Sequence, residues 1–79
     1  MADRKSIEDS IRGAIDCTHV EVRGDDGVHF EAVIVSPAFA GLARVRRHQQ
    51  VYAALGERMH EEIHALSMQT LSPEEWASR

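Results

Sequence analysis

The sequence has little of what exported and membrane-spanning proteins need. It contains one cysteine, so no disulfide can form within the chain, and a single thiol fits a reducing compartment. No apolar run approaches the ~20 residues that span a bilayer, and no apolar signal segment follows the charged N-terminus. These absences favour a cytoplasmic protein with no membrane contact. Aromatic residues make up only 5% of the chain, which leaves few side chains for stacking nucleic-acid bases.

The size and charge of the chain indicate a small folded domain with an uneven surface. Its 79 residues suit a single domain, 1–79, and its 43% hydrophobic and 28% charged content is typical of folded proteins. The net charge of −4 argues against nonspecific nucleic-acid binding, because phosphate contacts dominate that affinity. Residues 41–60 nevertheless have a net charge of +3, whereas the rest of the chain has a net charge of −7. This basic patch suits either an acidic partner or a weak nucleic-acid contact.

The hydrophobic pattern predicts an α+β fold with the order α-β-β-α-β-α. The predicted elements are a helix at about 4–16, a strand from Thr18 to Arg23, a hairpin turn at Gly24-Asp25-Asp26-Gly27, a strand from Val28 to Val35, a helix at about 43–60, a strand from Ile63 to Leu71, and a short helix after the Ser72-Pro73-Glu74-Glu75 capping box. A strand–helix–strand crossover is right-handed and parallel, so the third strand lies parallel to the second in a three-stranded mixed sheet. With the helices on one face, this layer resembles a type II KH arrangement.

The faces of the second and last helices follow from the same periodicity. The apolar stripe predicted for the second helix consists of Val45, His48, Tyr52, Leu55 and Met59, with Val51 beside it. Arg46 and Arg47 fall on the opposite side, which we expect to be solvated. Trp76 of the last helix is expected to dock on the core.

The segment His60-Glu61-Glu62-Ile63-His64 matches H-E-x-x-H, the zinc-protease signature. That chemistry needs both histidines on one continuous helix, with the glutamate as base and a third ligand nearby. Here Ile63 and His64 are predicted to begin the third strand, and 79 residues leave little room for a substrate cleft. We therefore reject the protease interpretation.

The chain has five histidines, and neutral imidazole is a common ligand of iron, zinc or copper. His48 lies in the apolar stripe, so we interpret it as a buried histidine hydrogen-bonded to its surroundings. His29 and His64 are at positions that a β-β-α-β sheet can bring together. Two histidines do not close a metal site, which needs about four ligands, so a partner would have to supply the others. Cys17 is interpreted as a partly buried small residue and not as a ligand.

The turn Phe39-Ala40-Gly41-Leu42 precedes the basic helix. In a KH-like layer, a glycine-rich loop at this position clamps a nucleic-acid backbone. The alternative is a plain turn that needs its single glycine, with Phe39 packed into the core. The residues alone favour the plain turn.

Several stretches together resemble the BolA family over nearly the whole chain. These stretches are His29-Phe30, Val35-Ser36, Phe39-Ala40-Gly41, Val45 to Tyr52, Ile63 to Ser67, and Thr70 to Trp76. The short hairpin loop looks closer to the IbaG-like branch than to BolA itself. The resemblance implies a type II KH-like, BolA-like fold. We expect the chain to be a monomer when alone.

The resemblance also implies a function that spacing does not reveal. BolA-like proteins pair with monothiol glutaredoxins and share a [2Fe-2S] cluster with them. The glutaredoxin supplies a cysteine and a glutathione thiolate, and the BolA-like partner supplies a histidine and a second ligand from the hairpin region. Carried over to this sequence, the ligands are His64 and His29. The implied role is assembly, trafficking or sensing of iron–sulfur clusters, with no catalytic residues and no enzymatic turnover.

A second function implied by the same family is transcriptional regulation of stress response and cell morphology through DNA binding. The residues expected to meet phosphates are Phe39, Gly41, Arg44, Arg46 and Arg47. The same arginines could equally steer an acidic glutaredoxin surface. A stand-alone enzyme finds no support, because the sequence shows no nucleophile–base pair and no cofactor loop.

Overall fold

A computed structural model describes residues 3–24, 26, 29–61, 63 and 65–79. Its elements are α1 (Arg4–Ala14), β1 (His19–Arg23), β2 (His29–Val35), a 3₁₀ turn (Pro37–Phe39), α2 (Arg44–Leu55), α3 (Arg58–Glu61), β3 (Ala65–Leu71) and α4 (Pro73–Ser78). The predicted α+β fold is confirmed, with the short α3 added after the second helix. The hairpin turn and the start of β2 were predicted at 24–28, of which positions 25, 27 and 28 lie outside the described residues.

The three strands form one mixed sheet in the order β1-β2-β3. Strand β1 pairs antiparallel with β2, and β2 pairs parallel with β3. The predicted topology is therefore confirmed. The register pairs His19 with Val35 at one end of the sheet and His29 with Ala65 at the other end.

One face of the sheet carries the core, and it is the face formed by Phe30, Ala32 and Ile34 of β2. These side chains are at most 4% exposed and pack with α1 and α2. The other core residues are Ile7, Ile11, Ile15, Val20, Val22, Phe39, Val51, Leu55 and Ile63. Helix α1 begins with a capping box in which Asp3 accepts from the Ser6 N–H. That cap satisfies a backbone donor which the helix itself leaves unpaired.

The second face of the sheet is covered only near one end. Val35 is fully buried but lies outside the main core cluster. Trp76 of α4 is half-buried and stacks on His19, the partner of Val35 in the ladder, with 4.9 Å between the ring centroids. The prediction that Trp76 docks on the core is therefore wrong, because α4 packs on the opposite face.

Helix α2 buries a different face from the one its sequence predicts. Val51 and Leu55 are buried as expected, whereas Val45 and Tyr52 are 62% and 44% exposed. The side chain of Arg47 lies on the buried side and is only 11% exposed. Hydropathy cannot identify this face, because an arginine occupies it through hydrogen bonds rather than through apolar burial.

The helix predicted at about 43–60 is divided by a glycine. Gly56 has φ = 58° and its N–H donates to the Tyr52 carbonyl, which closes α2 at Leu55. A glycine in this conformation is a common helix stop because it has no Cβ to clash. Strand β3 then begins at Ala65, two residues later than predicted.

The outer edge of β1 is blocked by a side chain from α1. Oε2 of Glu8 accepts a hydrogen bond from the Val22 N–H at 3.0 Å. An unpaired edge N–H is a template for pairing with another strand. Glu8 therefore occupies a position at which a further strand would otherwise attach.

Candidate functional site

His29 opens β2 and is held by an aspartate three residues earlier. Its backbone N–H donates to Oδ1 of Asp26 at 2.8 Å, and its ring Nδ1 lies 2.6 Å from Oδ2 of the same carboxylate. The His29 side chain is 57% exposed. A carboxylate on one ring nitrogen fixes the orientation of the imidazole and is the usual companion of a metal-binding histidine. Sequence analysis missed Asp26, although an aspartate just before a strand commonly bonds to a nearby backbone N–H.

The register of the parallel pair brings the two predicted ligands toward one end of the sheet. His29 pairs with Ala65, the residue that directly follows His64 in the sequence. His64 itself lies outside the described residues, so its part in a metal site stays a prediction. Among the described residues, no group of three or more histidine, cysteine, aspartate or glutamate side chains could hold a metal ion.

Gly24 allows the approach of the hairpin strands beside His29. A Cβ at position 24 would lie 2.6 Å from the His29 carbonyl oxygen and 2.7 Å from Cδ1 of Phe30. Atoms cannot approach this closely without displacing the backbone, so only glycine fits here. The position of His29 therefore depends on Gly24 as well as on Asp26.

The zinc-protease signature does not lie on one helix. Helix α3 ends at Glu61, and Ile63 is buried outside any helix with its N–H donating to the Arg58 carbonyl. His64, the second histidine of the signature, lies outside the described residues. Because Ile63 itself is not helical, the signature lacks the continuous helix that the protease chemistry needs.

The other candidate ligands lie away from His29. His19 pairs with Val35, six residues along β2 from His29, which is about 20 Å at the rise of a strand. Cys17 is near the same end as His19, partly buried against the core, and burial raises the pKa of its thiol.

His48 is half-buried, and its Nε2 is inaccessible and has no hydrogen-bond partner in the part of the chain that is described. The predicted hydrogen bonding of His48 is thus not seen at Nε2.

The turn before α2 presents fewer residues to a partner than expected. Phe39 is fully buried in the core, so the prediction that it lies on a partner or nucleic-acid surface is wrong. Its apolar ring fills space between the sheet and the helices. Gly41 is exposed, with φ = 77° and nothing within 4 Å of the place a Cβ would occupy. It serves the turn through its positive φ, a conformation that other residues rarely adopt.

The three arginines of α2 divide into two groups. Arg44 and Arg46 are exposed and remain available to a partner. Arg47 is mostly buried: its Nε donates to the Leu42 carbonyl at 2.9 Å, and its Nη1 donates to the Thr70 carbonyl at 2.8 Å. The prediction that Arg47 lies on a phosphate-binding surface is therefore wrong. Its guanidinium instead links the Leu42 carbonyl of the turn to the Thr70 carbonyl of β3.

Arg47 also reaches the last helix. Its Nη1 donates to Oε1 of Glu75 at 2.7 Å, and the same carboxylate accepts from the Ser72 N–H. These hydrogen bonds lower the pKa of Glu75 to about 2, the Arg47 bond being the largest cause. The contacts span 23 and 28 residues of sequence, so no local pattern could have indicated them.

A profile of the family described as "BolA-like protein" matches residues 8–75. The chain belongs to the BolA-like family. It is 41% identical over 61 residues to the DNA-binding transcriptional regulator BolA of Haemophilus influenzae, covering 77% of this chain and 58% of that protein. It is 36% identical over 76 residues to the acid stress protein IbaG of Escherichia coli K12, covering 95% of this chain and 89% of IbaG.

The solved structures agree with this family. A BolA protein homologue from Coxiella burnetii superimposes with a TM-score of 0.80 at 38% identity, covering 98% of this chain and 99% of that one. BolA-like relatives carry the names of regulators and of a stress protein, and these names describe no enzymatic reaction. Within the described ranges, no helix is long and apolar enough to cross a membrane.

Proposed function

We propose that this BolA-like chain is a non-enzymatic partner of a monothiol glutaredoxin and shares a [2Fe-2S] cluster with it. It would act in the assembly, trafficking or sensing of iron–sulfur clusters, in the cytoplasm, and as a monomer until the partner binds. The observation that carries the proposal is the pairing of His29 with Ala65, which directly follows His64 in the sequence.

The surroundings of His29 fit a histidine that ligates iron. Its ring is more than half exposed, and Asp26 fixes the orientation of the imidazole through Nδ1. Metal-bound histidines ligate through one nitrogen while a carboxylate or carbonyl holds the other. Histidine ligation of one iron gives a [2Fe-2S] cluster a higher reduction potential than four thiolates do. Two imidazoles are fewer than the cluster needs, so the remaining ligands would come from the glutaredoxin and glutathione.

The test is anaerobic reconstitution of the full chain with a monothiol glutaredoxin and glutathione, followed by visible circular dichroism. The native chain should produce a spectrum that differs from that of the glutaredoxin alone. His64→Ala and His29→Ala should each alter or abolish that spectrum. His19→Ala is the matched control, because His19 lies about 20 Å from His29 along the strand and should leave the spectrum unchanged.

Two results would contradict the proposal in different ways. A native chain that never changes the glutaredoxin spectrum would rule out shared ligation. If His64→Ala acts but His29→Ala has no effect, His29 is not a ligand. Asp26→Asn adds a finer test: loss of a carboxylate that holds a ligand typically weakens metal binding by about 10- to 100-fold.

DNA binding is the second candidate, supported by a relative named as a DNA-binding regulator and by two exposed arginines. Arg44 and Arg46 lie beside the exposed Gly41 turn, at the start of α2. If they neutralise two phosphates, the logarithm of the binding constant should fall with log salt at a slope of about −2. The Arg44→Gln/Arg46→Gln variant should lose this slope in fluorescence anisotropy, whereas Arg12→Gln, at an exposed position of α1, should not. A slope near zero for the native chain would refute this function.

A further inference from the structure

The guanidinium of Arg58, the first residue of α3, is bonded to helix α1. Its Nη1 donates to the Ser6 carbonyl at 3.0 Å and to Oγ of Ser10 at 2.7 Å, and its Nη2 donates to Oγ of Ser6 at 2.7 Å. Ser6 and Ser10 lie one turn apart on the same face of α1. The planar fork of an arginine holds its donors in a fixed arrangement, so these three hydrogen bonds fix the orientation of α3 against α1.

The backbone of Arg58 holds the chain that leads into β3. The Ile63 N–H donates to the Arg58 carbonyl at 2.9 Å, and the Ile63 side chain is 2% exposed in the core. A hydrogen bond from an N–H to the carbonyl five residues earlier is typical of helix ends, where it sets the direction in which the chain leaves. Strand β3 then begins at Ala65, which pairs with His29. In the sequence, His64 stands between a residue held by Arg58 and a residue held by the ladder.

Helix α3 is too short to be stable without contacts to the rest of the chain. It has four residues, whereas isolated helices shorter than about 12 residues are marginal in water. Its described contacts include the three hydrogen bonds from Arg58 and the partly buried Met59 side chain, which packs against the core. The orientation of α3, and with it the direction of the chain toward Ile63, therefore depends strongly on one side chain.

We propose that Arg58 is a positioning residue for the shared cluster. It fixes the backbone that precedes His64, while the pairing of Ala65 with His29 fixes the backbone that follows, so that both histidines can bind the same cluster. A metal site needs its ligands held within about 0.5 Å of the productive geometry, often by residues that never touch the metal. The inference rests on the proposed function, and in it Arg58 makes no bond to iron.

The alternative is that Arg58 only stabilises the fold, and Arg47 supplies the comparison. Arg47 is also partly buried and also donates to carbonyls of other segments. Its partner Thr70 pairs with Ile34, which is five residues along β2 from His29, or about 17 Å at the rise of a strand. Arg47→Ala should therefore destabilise the chain without changing the geometry at the His29 end of the sheet, whereas Arg58→Met should do both.

The first measurement is made on the isolated chain, so it does not depend on a cluster. Arg58→Met keeps most of the side-chain length and removes every donor of the guanidinium. The amide resonances of Ile63 and Ala65 in nuclear magnetic resonance spectra should shift in this variant. These resonances report the geometry of the folded chain and not its free energy of unfolding, so Arg47→Ala should leave both in place.

The second measurement is cluster retention in the complex with a monothiol glutaredoxin and glutathione, followed by visible circular dichroism as an iron chelator is added. Each variant is measured at a temperature at which it is fully folded. Arg58→Met should release the cluster at an about tenfold lower chelator concentration, the low end of the loss expected when a residue that orients a metal ligand is removed. Arg47→Ala should release it at the native concentration.

Two milder variants should give graded effects. Ser10→Ala removes one of the three hydrogen bonds and should weaken cluster retention less than Arg58→Met does. Arg58→Lys keeps a cation but not the planar fork, so its cluster retention should lie between that of Arg58→Met and that of the native chain. If Arg58→Met does not fold, these two variants decide, and native cluster retention in both would overturn the inference.

Three other results would overturn the inference. They are unchanged Ile63 and Ala65 resonances in Arg58→Met, native cluster retention in Arg58→Met, and equal cluster loss in Arg47→Ala, which would assign the effect to stability alone. A cluster that His64→Ala destroys but Arg58→Met leaves intact would overturn this inference and leave the proposed function standing. A native chain that forms no shared cluster would overturn the proposed function, and this inference with it.

Discussion

Arg47→Ala is the substitution for which the structure gives the clearest quantitative expectation. The arginine donates to the carbonyls of Leu42 and Thr70 from a side chain that is 11% exposed. A hydrogen bond from a charged group contributes about 1.5–3 kcal/mol, and water can replace part of it at a partly buried site. We therefore expect the two lost bonds to lower the free energy of unfolding by about 2–4 kcal/mol. The ion pair between Arg47 and Glu75 contributes little to the free energy of unfolding, because the Glu75 side chain is about half-exposed.

This loss is large for a chain of 79 residues. Domains of this length have total stabilities of about 4–12 kcal/mol, so Arg47→Ala removes a substantial share. The midpoint of thermal unfolding should fall by roughly 4–8 °C for each kcal/mol. The assay is urea unfolding at neutral pH, followed by far-ultraviolet circular dichroism and by Trp76 fluorescence.

The neighbouring arginine supplies the matched control. Arg46→Ala removes an exposed side chain of the same type one position earlier and should change stability by no more than about 0.5 kcal/mol. Arg47→Lys keeps the charge but lacks the planar fork that reaches two carbonyls, so most of the loss should remain. Equal unfolding midpoints for Arg46→Ala and Arg47→Ala would refute the structural role of Arg47.

Three further predictions concern the core, the hairpin and the last helix. Phe39→Ala should destabilise by about 3–5 kcal/mol in urea unfolding, because the ring is fully buried; a loss below 1 kcal/mol would contradict its core position. Gly24→Ala should lower the free energy of unfolding by about 1–3 kcal/mol, since its Cβ would meet the His29 carbonyl. Gly13→Ala in α1 places a Cβ that has nothing within 4 Å, so it should raise the free energy of unfolding by about 0.5–1 kcal/mol. The pKa of Glu75 is lowered to about 2, so its contribution to stability is present above pH ~4.5 and is lost as the pH falls toward 2. The stability difference between the native chain and Glu75→Gln should shrink over that range, and a constant difference would show that Glu75 does not titrate there.

Much of the fold could be predicted because local chemistry and hydrophobic period agree. Alternation in β1 and β2, the glycine-containing hairpin turn and the Ser72 capping box each give the same element order. The crossover rule then makes β3 parallel to β2. Gly56 was also readable as a helix stop, although the prediction ran one helix through it.

The parts that sequence could not predict depend on distant contacts. The buried face of α2 is rotated relative to the apolar stripe because Arg47 finds two carbonyls and a carboxylate on other elements. Of the two predicted ligands, His29 lies beside Ala65 as the strand order required. Its companion Asp26 was missed, since nothing in a hairpin sequence shows which carboxylate turns toward a particular ring.

The Glu8 carboxylate on the β1 edge has a consequence for how copies of the chain can assemble. Continuous fibrils grow because each molecule in a stacked sheet presents two open edges, one to each neighbour. Here Glu8 occupies the Val22 N–H on the β1 edge, and Arg47 occupies the Thr70 carbonyl on the β3 edge. Each edge of the described sheet therefore has one backbone group that is already bonded to a side chain and cannot pair with a neighbouring molecule. Stacking into a continuous sheet would have to break both contacts, so the two side chains protect the native sheet against seeding aggregation.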